Sequence, residues 1–71
     1  MDIRKLTCVI IQKDGQYLVG MIMWSKQIRW SGAAYDAWRT RDPEQARRIA
    51  RRVGGTTMLF NPAAGQLRAM K

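Results

Sequence analysis

From residue 6 to residue 24 the chain reads LTCVIIQKDGQYLVGMIMW, and this stretch decides the fold. Residues 6–12 and 17–24 are rich in β-branched and apolar side chains, so each run predicts a strand. Between them stand Lys13, Asp14, Gly15 and Gln16. Asp-Gly between two such runs predicts a two-residue hairpin turn, in which both residues take positive φ. With Asp14 and Gly15 as the loop, Gln12 faces Tyr17, Ile10 faces Val19 and Cys8 faces Met21. The other side carries Ile11 with Leu18, Val9 with Gly20 and Thr7 with Ile22. Both faces are largely apolar. One calls for a helix, and the other needs a second layer, a long loop or another subunit.

That helix is signalled further along the chain. Asp42 is an N-cap residue, because its carboxylate can accept a backbone N–H of the first turn. Pro43 follows at the position where a missing donor costs nothing. Gln45 completes a D-x-x-Q variant of the capping box, and Glu44 sets a negative charge at the positive end of the dipole. Gly54 suits the left-handed position after the last turn. The predicted helix therefore runs over Pro43–Val53. At about 100° per residue, Ala46, Ile49, Ala50 and Val53 form a narrow stripe of mostly small side chains that can lie close to a sheet.

The remaining segments fill in the architecture. Residues 27–30 suit a third strand, Ser31-Gly32 a turn, and residues 37–39 an extended segment. Residues 56–60 (TTMLF) read as a strand, residues 61–65 (NPAAG) as a turn, and residues 66–70 as a short last strand. The order ββ(β)αβ(β) defines an α+β fold. It is a small two-layer domain, an antiparallel sheet of 3–5 strands with one helix packed on it, and it takes up residues 1–71 as one domain.

Composition narrows the function. The 71 residues include 13 Lys plus Arg, 5 Asp plus Glu and no His, for a net charge of +8. One cysteine, Cys8, forms no intrachain disulfide, and without His it assembles no tetrahedral zinc site, so neither a metal nor a cofactor is expected. The apolar runs are too short to span a membrane, and the N-terminus does not read as a signal peptide. A lone thiol without an export signal points to the cytoplasm. An imidazole base is absent and Gly54-Gly55 is not a phosphate loop, so the chain is not expected to be an enzyme. Asp36, beside Tyr35 and Trp38, is the one acid to inspect for catalysis, and a turn or capping role is by far the simpler reading of it. Cys8 and the methionines Met21, Met23, Met58 and Met70 read as core or interface filler, and Met on the second hairpin face favours a homodimer.

Residues 36–46 (DAWRTRDPEQA), followed by Ile49-Ala50 and Val53-Gly54-Gly55, resemble a pattern in short uncharacterised phage- and prophage-encoded proteins. In these an aromatic residue and a Thr or Ser precede an acidic, Ala-containing helix that ends in Gly, and a strand follows. They also tend to begin with a hairpin turning at Lys-Asp-Gly. The resemblance covers most of the chain and implies a ββαβ-like domain of mobile-element origin. It implies no activity. At the level of fold alone the layout is also similar to small sheet-plus-helix DNA readers.

Arginine placement supplies the functional lead. Arg47, Arg48, Arg51 and Arg52 cover roughly 140° of the helix surface opposite the apolar stripe. Like charges four residues apart cost a helix a few tenths of a kcal/mol, and only Glu44 offers local relief, to Arg48. A polyanion would relieve the repulsion and release counterions. The plainer reading is a solvated face from an arginine-rich composition, since nine of the thirteen basic residues are Arg. Arg39 and Arg41 are expected to flank the helix face. With Lys26 and Arg29 they also interleave Trp24, Trp30, Tyr35 and Trp38, a mixture that suits single strands unless the rings are core. The expected partner is nucleic acid, DNA or RNA, contacted at its phosphates by Arg47, Arg48, Arg51, Arg52, Arg39 and Arg41. The alternative is an interaction protein or homodimer, its charge incidental or directed at an acidic protein.

Overall fold

A computed structural model describes residues 7–22 and 27–69. Five strands form one antiparallel sheet: β1 (Cys8–Lys13), β2 (Gln16–Ile22), β3 (Gln27–Ser31), β4 (Thr56–Asn61) and β5 (Gln66–Ala69). They lie in the order β3-β2-β1-β4-β5, and a single α-helix, α1 (Pro43–Val53), packs against β1 and β4. This is the α+β architecture the sequence predicts, with the helix at its predicted bounds. The calls for Trp24, Lys26, Met23 and Met70 lie outside the described residues.

Local rules account for the turns and the helix ends. Asp14 and Gly15 take φ of 52° and 77°, as the two-residue hairpin requires. Asp42 Oδ1 accepts from Glu44 N at 3.0 Å and caps α1. The other half of the expected capping box does not form. Thr40 Oγ1 accepts the Asp42 N–H at 3.1 Å and donates to Gln45 Oε1 at 2.9 Å, so it takes up both groups the box would have joined. At the far end Gly54 is left-handed, with φ 74°, and the Gly55 N–H reaches back to Ala50 O at 2.8 Å. Lys13 Nζ donates to Val53 O at 3.3 Å, so a strand residue also serves the negative end of the helix.

The hairpin departs from its expected register. Gln12 does face Tyr17, and Lys13 faces Gln16, but the β1–β2 ladder holds only these two pairs. Ile10–Val19 and Cys8–Met21 do not pair. Residues 38–40 occupy the gap instead: Trp38 N donates to Leu18 O at 2.8 Å, while Thr40 and Val9 exchange two backbone hydrogen bonds of 2.7 and 3.1 Å. The strands splay because a segment from elsewhere in the chain satisfies their inner backbone groups. Met21 pairs with Ile28 of β3, and β2 carries a bulge between Leu18 and Gly20.

Two apolar clusters sit on opposite sides of the sheet, because successive residues of a strand point to opposite faces. On the helix side Ile11 and Leu18 pack with Ala50 and Val53, joined by half-buried Trp30, Trp38 and Ile49. On the far side Cys8, Ile10 and Phe60 pack with Ala37, joined by Tyr17, Ala34, Met58 and Leu67. A 3-10 turn at Ala34–Asp36 lies over this second face, which is therefore covered by a long loop, one of the three expected solutions. Tyr35 adds an edge-on contact with Phe60 at 5.3 Å and donates from its hydroxyl to Pro62 O at 3.2 Å.

Candidate anion-binding faces

The segment 37–41 alternates like a strand and thereby sorts its side chains. Ala37 joins the cluster on the far face and Trp38 the cluster under α1. Arg39 returns to the far side, where its guanidinium carbon lies 5.8 Å from the centre of the Phe60 ring. Thr40 turns toward the helix and meets Gln45. Arg41 lines a recess with Cys8, Arg39, Thr40 and Pro62. Arg39 therefore lies on the face opposite the helix arginines.

On α1, Ala46, Ala50 and Val53 are buried, whereas Arg47, Arg48, Arg51 and Arg52 are exposed. The one ion pair among the described residues joins Arg47 Nη1 to Glu44 Oε1 at 3.1 Å. Glu44 thus relieves Arg47 rather than Arg48, the three-residue spacing being as accessible on a helix as the four-residue one. No carboxylate among the described residues pairs with Arg48, Arg51 or Arg52. Arg51 and Arg52 lie in the last turn, where the dipole favours cations. Arg48 borders a shallow hollow with Asp42, Gln45 and Ile49.

Among the described residues, Trp30, Trp38 and Tyr35 do not form one platform with the cations. Trp30 and Trp38 are half-buried under the helix, and Lys13 sits 5.9 Å from the centre of the Trp30 ring. Tyr35 is 60% exposed on the opposite side. Asp36 accepts from Ser31 Oγ at 3.1 Å, and Ser31 Oγ in turn accepts from Ala33 N, so its carboxylate closes a turn. Cys8 is buried and its Sγ donates to Phe60 O at 3.3 Å. Burial pushes this thiol above its ordinary pKa, against the opposing pull of Arg39 and Arg41.

Sequence reasoning missed the grouping of Arg39 and Arg41 with Cys8 and Pro62, and the capping role of Lys13. The extended reading of residues 37–39 was the available signal for the first, since alternation separates Arg39 from Trp38. Among the described residues no helix is long and apolar enough to cross a membrane. Compared with protein-family models, curated proteins and solved structures, the chain matches none.

Proposed function

We propose that this is a small, basic, non-catalytic protein of phage or prophage type that binds the phosphate backbone of nucleic acid through α1. The observation that carries the reading is the set Arg48, Arg51 and Arg52, exposed on one helix surface with no carboxylate partner among the described residues. The helix holds these cations at fixed spacing, and its apolar stripe anchors it to the sheet. Each guanidinium can offer a phosphate two parallel donors. Arg47 contributes once Glu44 releases it. The arginines contact phosphate rather than base edges, so the binding discriminates weakly among sequences.

Fluorescence anisotropy with short single- and double-stranded DNA and RNA tests the reading. Three phosphate contacts on duplex DNA give a log–log salt slope of about −2.7, or about a 40-fold loss of affinity between roughly 50 and 200 mM salt. The double variant Arg48→Glu, Arg52→Glu should abolish binding and leave the thermal midpoint near wild type. Retained binding by a folded double variant would overturn the assignment. Absence of binding by the wild type at low salt would turn attention to an acidic protein partner.

A further inference from the structure

A recess of about 350 Å³ is lined by Cys8, Arg39, Thr40, Arg41 and Pro62, and no residue of α1 lines it. Two of its five lining residues are arginines and none is acidic. Arg39 and Arg41 stand on either side of Thr40, the residue bridged to Val9, and both line the recess. That placement lets two guanidinium groups close on one tetrahedral anion.

Arg39 is already held in place. Its Nη2 donates to Tyr35 O at 2.9 Å, and its plane rests near the Phe60 ring. One of its five N–H donors is used in this way, and the others stay open. Much of the side-chain entropy cost of fixing an arginine is thus met by the fold. Arg41 is exposed and pairs with no carboxylate among the described residues. The positive fields of both reach the floor of the recess, where they oppose the effect of burial on the Cys8 thiol. Pro62, which also lines the recess, is tied through its carbonyl to Tyr35.

We infer that the recess between Arg39, Arg41 and Pro62 is a binding site for a phosphate group, held between the two guanidinium groups. It is separate from the helix face and does not rest on the reading of that face. Phosphate monoesters suit it best, since a dianion meets two cations. Free phosphate and the terminal phosphate of a nucleotide share that chemistry.

Side-chain and backbone NMR of the intact protein, titrated at constant ionic strength with inorganic phosphate and separately with 5′-AMP, tests the site. Saturable shifts at Arg39 and Arg41 are expected with at least one of the two anions. Tighter binding of 5′-AMP would identify a nucleotide as the source, and equal binding a free phosphate. Arg41→Gln should weaken binding by about tenfold or more, the worth of a charge-assisted bond. Arg41 is exposed, so this variant keeps the test valid if Arg39→Gln, which loses Tyr35 and Phe60, fails to fold. The shifts read at Arg39 and Arg41 should be the same in Arg48→Glu with Arg52→Glu as in wild type. Linear, unsaturating shifts with both anions would overturn the inference, as would saturable binding that survives Arg41→Gln unchanged.

Discussion

Gly55 shows how tightly single residues are held. A Cβ built there would lie 2.6 Å from Ile11 Cγ2 and 3.1 Å from Gln12 O, so the helix exit grazes β1. Gly55→Ala should destabilise the fold by about 1–3 kcal/mol, the usual cost of overpacking, read from urea unfolding. Cys8 carries a different consequence. Its folded pKa lies above the ordinary value of 9.0. Below that value the thiol is protonated in both states and contributes no pH dependence. Above it the unfolded chain ionises first, so stability should fall as pH rises past about 9. Comparing the wild type with Cys8→Ala between about pH 7 and 10 isolates this effect, which should be smaller in the variant. Residue roles governed by neighbours in sequence were legible beforehand: the turn at Asp14-Gly15, the cap at Asp42, the left-handed Gly54. Gln45 was not, because Thr40 competes for it and only the fold brings Thr40 into place.

At the scale of elements, α1 was legible from end to end because caps and stripe agree on the same 11 residues. The segment 37–41 was legible only as an extended piece; its place between β1 and β2 was not, because its partners, Leu18 and Val9, lie 20 to 31 positions away. Thr40→Pro offers the sharpest test of that segment. It removes the N–H that donates to Val9 O, and also the Oγ1 that serves Asp42 N and Gln45, while keeping the chain extended. A buried carbonyl left without a donor costs about 1–3 kcal/mol, so the variant should show a loss of at least that size in denaturant unfolding. Full stability would mean that the two strands do not depend on the inserted segment.

For the whole molecule, the division of charge is the feature that sequence could not supply. Arg39 and the helix arginines lie within 14 positions of one another, yet the sheet keeps them apart. Which side each takes depends on where residues 37–41 pass between β1 and β2. That passage also constrains how the chain can assemble. A hairpin with an Asp-Gly turn closes in microseconds, well before contacts as distant as Val9 with Thr40 are made. Left to itself, it would zip on from Gln12–Tyr17 toward Ile10–Val19 and leave no slot for Trp38. The native state requires the arms to stay open, or to reopen, until the later segment arrives. The fastest local step is thus in competition with the finished topology, and the rate of folding should be set by insertion of a third segment rather than by closure of the first turn.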